Sequence, residues 1–480
     1  MKNSKNIKAA ILIVLESVCM LFLTYSCDLI SDVDDIDPLY QLTEDAVFTD
    51  NIKTEAVLNG IYTAWKASEL NSFTAHTMLL SGNYETATAG ALGTDLSEND
   101  VDVSNSSLMS YYRSYYAVIQ RANYLIKAMQ SDIEIPGLSS VRRKEIEAES
   151  RLHRAMAHFY LLRNFGQFYN SASESGIMIS NEPLSGNYNI PRSGVEKCFD
   201  FISEDIEYAM NNAPETVTEG RLNKSAAKAM KAKILLYTQN WAEAANLSLQ
   251  IINSGIYILE NVFQNLYTLG YKSKEVIFAP ISVYPNGILN AGSYTHKPGT
   301  LLISVADKSV GSASDGNIQT GEGYDPRFAY AHAASSLSSG VYNNKYPFKN
   351  VSGQQSGSPF ILRLGEIYLI YAEAKTRSGS GVDSDALAKL NAIRERAGLT
   401  KLNPDTKAEL LENIRIEKQL ELFGEFNEPW FDMVRYHILG DINISDLKPT
   451  ITNNDQLILP YPVLALSGNG GLTQNPGYTN

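Results

Sequence analysis

Between Pro359 and Tyr436 the apolar positions fall at steps of three and four. Ile361, Leu364, Tyr368, Tyr371, Ala372 and Lys375 fall on one face of a predicted helix. Leu387, Leu390, Ile393 and Ala397 repeat the rhythm, and Gly398 follows where a helix end favours a left-handed residue. Leu410, Ile414, Glu417, Leu420 and Glu421 mark a third helix whose face carries carboxylates among leucines. Gly- and Pro-bearing breaks at 378–382 and 398–405 make neighbours antiparallel. Helices of this length cannot bury a face alone, so the pattern predicts stacked helical pairs.

The same rhythm runs through residues 43–256. Thr43 with Asp45 opens a helix whose apolar side is Val47, Ala56, Leu58, Ile61, Tyr62 and Trp65. Long helical stretches follow at 110–129 and 145–169. In the second, His153 and His158 are five residues apart, which puts them on different faces; a metal pair on a helix wants a spacing of four. Phe199, Ile202, Ile206 and Met210 form a further buried face, with Cys198 as a small core hydrophobe. Ala226, Ala229 and Ala232 let a helix carrying Trp241, Ala245 and Leu249 approach closely, in the manner of a tetratricopeptide pair closed by Tyr257. Trp241 is read as a core staple.

Two stretches break the rhythm. Residues 71–105 dissolve into Gly, Thr, Ser, Asn and Asp, and a loop of that length commonly carries function. Asn83 and Tyr84 are its ligand candidates, while Asp95, Glu98 and Asp100 offer oxygens for a structural calcium. The alternative is a solvated surface excursion. Residues 257–358 lack helical rhythm too. A strand is expected within 274–287, ending in a Pro-Asn-Gly turn. Aromatic faces with planar amides beside them suit either a sugar or a peptide ligand. Tyr284, Asn286, Tyr294 and His296 meet that description, although loop tyrosines also serve as packing plugs.

Composition narrows the classes. The 480 residues exceed what one core usually serves, and 44% hydrophobic with 19% charged residues describes a folded chain. A formal charge of −13 argues against nucleic acid, because no basic stripe is present to neutralise phosphates. Residues 1–26 read as a signal peptide: Lys2, Lys5 and Lys8, an apolar run from Ala9 to Leu23, then Thr24-Tyr25-Ser26 before Cys27. Cys27 is the expected lipidation site, and a plain secretory signal with an incidental Cys27 is the alternative. Cleavage removes three Lys and one Glu, which moves the formal charge from −13 to −15. The acidic tether 27–42 follows, with Asp28, Asp32, Asp34, Asp35 and Asp37. Cys198 then stands alone, so no internal disulfide is possible in the mature chain.

RLGEIYLIYAEA (Arg363–Ala374), ALAKLNAIRERAGL (Ala386–Leu399), IRIEKQLEL (Ile414–Leu422) and WFDMVR (Trp430–Arg435) together resemble the SusD/RagB family of outer-membrane nutrient-binding lipoproteins. Arg151, Arg154, Ala155 and Gly166 sit as in such chains, and the LTQNPGY ending (Leu472–Tyr478) is similar to the family's closing signature. The stretch Gly424–Pro429 departs from the family pattern, with Pro429 where an Arg is usual. The resemblance implies a mostly α fold: a tetratricopeptide-like scaffold of helical hairpins with an irregular, loop-rich ligand-binding lobe containing a few short strands. It places the scaffold in 43–256 and 359–480 and the lobe in 257–358 with the early loop. It implies that Arg327 of the Asp325–Phe328 motif pairs with a carboxylate. The implied function is non-catalytic capture of an oligosaccharide at the cell surface and delivery to a SusC-like TonB-dependent transporter, without a cofactor. A peptide ligand is the alternative within the family. A helical glycoside hydrolase is the alternative from another class. Glu366, Glu373, Glu417 and Glu421 would be its carboxylates, but Arg363, Arg394 and Arg415 nearby favour ion pairs.

Overall fold

The computed structural model describes residues 47–479 apart from 68–69, 71–75, 87–90, 187, 282–295, 311–322, 333–358 and 427. The chain divides into two units, Met1–Thr54 and Glu55–Asn480. Described residues of the first begin α1 (Asn51–Ala64), where the Asp50 carboxylate accepts the Lys53 N–H at 2.8 Å. The predicted opening at Thr43, the signal peptide, Cys27 and the acidic tether lie outside the described residues.

In the second unit β1 (Tyr84–Thr86) and α2 (Ala91–Glu98) precede two long helices, α3 (Ser106–Gln130) and α4 (Ser140–Phe165). Then come α5 (Val195–Asn212), α6 (Lys224–Tyr237), α7 (Trp241–Asn253) and α8 (Phe263–Leu269). β2 (Val276–Phe278), β3 (His296–Pro298), α9 (Thr300–Val310), α10 (Pro326–Ala331) and β4 (Leu362–Arg363) make up the middle. The last run is α11 (Leu364–Ser378), α12 (Ser384–Arg396), α13 (Lys407–Leu422), α14 (Glu428–Ile438), α15 (Ile444–Leu447) and α16 (Val463–Gly468).

Helix starts follow local chemistry. Asn105, Ser139 and Asn223 each cap a helix by accepting a backbone N–H, and Thr406 with Glu409 forms a reciprocal capping box on α13. Gly398 ends α12 at φ +82°, the left-handed position expected of it. Successive helices stack: α3 on α4, α4 on α5, α5 on α6, α6 on α7. The stack does not stop at the middle segment, because α7 and α6 both pack on α11, which in turn packs on α12 and α13. Leu369, Ala372, Ala386, Leu390, Ile393, Leu410 and Ile414 form one apolar core among these last three. Burying each of the larger side chains contributes roughly 1.5–3 kcal/mol. The closing signature folds back on the scaffold: Asn475 donates to the Phe165 carbonyl at 2.9 Å, and the Tyr478 hydroxyl donates to the Ile458 carbonyl at 3.0 Å.

Three expectations need correction. Residues 71–105 are not one open loop, since 76–80 are helical and β1 and α2 follow. The middle segment likewise holds α8, α9 and α10, helices of 7, 11 and 6 residues that give a helical period only about two or three turns in which to show. Trp241 is half-buried rather than a core staple, with the Arg377 guanidinium 5.2 Å from its ring. Trp65, by contrast, is fully buried, ringed by Tyr115, Tyr160, His153 and Phe426.

Candidate functional site

The two aperiodic stretches meet. β1 and β3 pair antiparallel with Tyr84 opposite Pro298, Glu85 opposite Lys297 and Thr86 opposite His296. Just past β3 the Gly299 N–H donates to the Asn83 carbonyl at 2.8 Å. A Cβ at Gly299 would lie 2.3 Å from the Gly82 carbonyl oxygen, so only glycine lets the two backbones approach this closely. The ribbon thus gathers segments more than 200 residues apart in sequence into one place.

Of the predicted ligand residues, Tyr284, Asn286 and Tyr294 lie outside the described residues, and His296 is located by its backbone in β3. Asn83 and Tyr84 are described, and both are buried rather than displayed on a loop. The Asn83 amide donates to Ser81 Oγ at 2.6 Å and accepts from the Gln419 side chain of α13. The Tyr84 ring meets His332 edge-on, 5.9 Å between centroids, and His332 stacks on Phe423. A sequence of polar and aromatic types does not tell a displayed residue from a plug. These two are plugs beneath the ribbon.

Asp95, Glu98 and Asp100 do not converge on an ion site. Glu98 and Asp100 are exposed, and Asp95 accepts from the Asn105 amide at 3.4 Å. Among the described residues no group of three His, Cys, Asp or Glu side chains is placed to hold a metal. Lys448 instead lies under this segment, reaching the Ser97 carbonyl; burial lowers its pKa while Glu85 and Glu98 favour its charge.

Below the ribbon the middle segment is bolted to the scaffold by buried charges. Arg327 of α10 pairs with Asp325 at 2.7 Å and with Glu417 at 2.7 Å and Glu421 at 2.9 Å, both on α13. Arg363 pairs with Glu275 at 3.1 Å, Glu421 at 2.6 Å and Glu425 at 2.6 Å. Arg396 joins through Glu275 and Glu421. Burial opposes both guanidinium charges, yet Asp325 and Glu417 at Arg327, and Glu425 and Glu421 at Arg363, hold them protonated. Removing one partner from such a buried set typically costs about 3–5 kcal/mol.

The remaining carboxylates form a second buried set. Glu373 accepts both Arg435 nitrogens at 2.8 Å and also meets Lys418. Lys233 lies between Glu366 at 2.7 Å and Glu428 at 2.8 Å, and Glu428 also pairs with Arg163. Burial pushes the Glu366 carboxyl up to about 7 despite Lys233. For Glu428 burial acts the same way, but Arg163 and Lys233 outweigh it and hold the carboxyl down at about 2. All four carboxylates weighed as hydrolytic candidates are therefore buried in ion pairs.

A groove of about 650 Å³ lies elsewhere, at the N-terminal half of α13, lined by Leu402, Pro404, Glu412, Asn413, Asp441 and Ile442. Its charges are occupied: Glu412 accepts from Arg415 at 2.7 Å and Asp441 from Arg377 at 2.7 Å. In the adjoining hollow the one aromatic lining residue, Tyr436, is fully buried and offers no open ring face. The groove shares no residue with the ribbon.

Comparison with known proteins matches two family models. That of the SusD family covers residues 230–478, and a second, described as starch-binding associating with outer membrane, covers 38–236. A SusD-like protein of Bacteroides ovatus is 26% identical over 384 residues, spanning 70% of this chain and 67% of that one. The fold is similar to that of a laminarin-binding SusD-like protein, with a TM-score of 0.66 at 20% identity over 90% of this chain and 100% of that one. It is also similar to a structure solved with a xylogluco-oligosaccharide, with a TM-score of 0.68 at 20% identity over 89% and 99%.

Proposed function

The chain belongs to the SusD family, and from that premise we propose that it is a surface lipoprotein that captures an oligosaccharide and hands it uncut to a TonB-dependent transporter. The ligand sits at the lobe gathered by the β1–β3 ribbon. The observation that carries this reading is the pairing itself, which joins the two stretches in which the sequence concentrates Tyr, Asn and Gly. Loops held on a rigid scaffold commonly carry binding. Tyr284 and Tyr294 supply ring faces, with Asn286 and His296 as hydrogen-bonding partners. Similar folds described as laminarin-binding or solved with a xylogluco-oligosaccharide support a glycan as the ligand class. Binding without turnover is supported by the carboxylates: each one weighed for hydrolysis is tied to cations inside the scaffold.

The test is retention of the purified protein on a panel of polysaccharides, read together with released reducing ends. Retention without release is expected. Tyr284→Ala or Tyr294→Ala weakens binding about five- to a hundred-fold, by analogy with the roughly 1–3 kcal/mol of a stacked base, and leaves the melting temperature nearly unchanged. Release above background, or both variants binding like wild type, overturns the assignment.

A further inference from the structure

We infer that Gln419 is a positioning residue for the ligand loops, acting through Asn83 and Gly299 without touching ligand itself. The inference rests on the reading that the ligand sits at the ribbon. Gln419 is in α13, the helix around which both lobe attachments are organised. Glu417 and Glu421 present one side of α13 to Arg327 of α10. Gln419 follows Glu417 by two residues, about 200° around the helix, and so faces the opposite way toward residues 81–83. Its amide is buried, accepts from Arg415 at 3.3 Å and donates to Asn83 Oδ1.

Asn83 then distributes that contact. Its side-chain amide and its backbone N–H both bond Ser81 Oγ, at 2.6 and 3.3 Å, and Ser81 Oγ donates to the Met78 carbonyl at 3.0 Å. Its carbonyl accepts the Gly299 N–H at 2.8 Å. All four polar functions of Asn83 are therefore in use, and two of them link α13 to the exit of β3. Because Gly299 sits against the Gly82 carbonyl with no room for a Cβ, a displacement of 82–83 moves the β3 end with it. The register of the β1–β3 ribbon is thereby set from α13 through one buried amide. An unsatisfied Asn83 amide lets the 81–83 turn relax while the ion pairs of α10 still hold the scaffold.

The test uses the full chain carrying Gln419→Met, which keeps volume and helix propensity while removing the amide. Hydrogen exchange is followed at 84–86 and 296–300, beside the affinity for a laminarin or xyloglucan oligosaccharide. Exchange at Gly299 is expected to speed about ten-fold and affinity to weaken about ten-fold, with amides of α3, α4 and α11 unchanged. Gly299→Ala, which presses the same junction from the ribbon side, is expected to give the same two changes. Unchanged exchange at 296–300 in both variants overturns the inference, as does faster exchange with wild-type affinity. If wild-type protein retains neither oligosaccharide, the functional reading falls, and the exchange arm alone decides whether Gln419 holds the ribbon.

Discussion

His153 and His158 show what burial does to single residues in this chain. His153 Nδ1 accepts the Trp65 indole N–H at 2.9 Å, and His158 donates to the Arg154 carbonyl at 2.9 Å while accepting the Ser180 N–H at 3.2 Å. Burial pushes both rings down to about 3, so both stay neutral in the fold. An unfolded chain takes up these protons below about pH 6.5, and the folded chain does not until about 3. Stability therefore falls as pH drops through that window, by up to about 1.4 kcal/mol per pH unit for each ring. Glu428 adds to the slope below its unfolded value of 4.5, whereas Glu366, raised to about 7, works against it between 4.5 and 7. Thermal melts at pH 7.5, 6 and 5 should show a falling midpoint, and His158→Gln should flatten the fall; an identical pH profile in that variant contradicts the account. The spacing of five correctly placed these histidines on separate faces. No comparable signal marked Asn83 and Tyr84 as buried, because their fate depends on Gln419 and His332, far away in sequence.

At the scale of elements, the periodic helices form as read, and the errors lie where the period is short or shared. Ile361 was assigned to the face of a helix that begins only at Leu364; it instead donates its N–H to the Phe278 carbonyl beside the β2–β4 pair. A short apolar run such as Phe360–Leu362 suits either a buried strand or the start of a helix. Trp65 and Trp241 make the same point energetically. Trp65 is enclosed by aromatic rings, so Trp65→Ala should cost about 3–5 kcal/mol. Trp241 rests at the start of α7 under Arg377 and keeps part of its surface in water, so Trp241→Ala should cost less than about 2 kcal/mol. Urea unfolding of both variants checks the order, and a larger loss at Trp241 would reverse it. α13 was legible as a helix but not as a central one. Its carboxylates among leucines read as ion-pair partners of nearby arginines, and Arg327, Arg363, Arg394 and Arg396 close on them.

For the whole molecule, the family was readable before any packing was known, and the anchoring is proposed from the first residues alone. Among the described residues no helix is long and apolar enough to cross a membrane. Attachment is proposed to run through acylation of Cys27, on the Lys-rich start, the apolar run and the acidic tether. Cys27→Ala should abolish labelling of the protein on intact cells by an impermeant reagent, and unchanged surface anchoring would remove that proposal. The sequence by itself determined the helical hairpins and the left-handed Gly398, because each depends on residues within a turn or two, while the resemblance implied that Arg327 pairs with a carboxylate. It also marked where periodicity thins, and so where the ligand loops are proposed. Tertiary structure decided the rest. The sequence could not state that α6 and α7 continue onto α11 across the middle segment, or that 84–86 pairs with 296–298. Nor could it show that Asn83 is buried and bonded to both Gln419 and Gly299. Those outcomes depend on which distant surfaces meet, and the free energy of burying a group is a property of the assembled neighbours rather than of the residue that bears it.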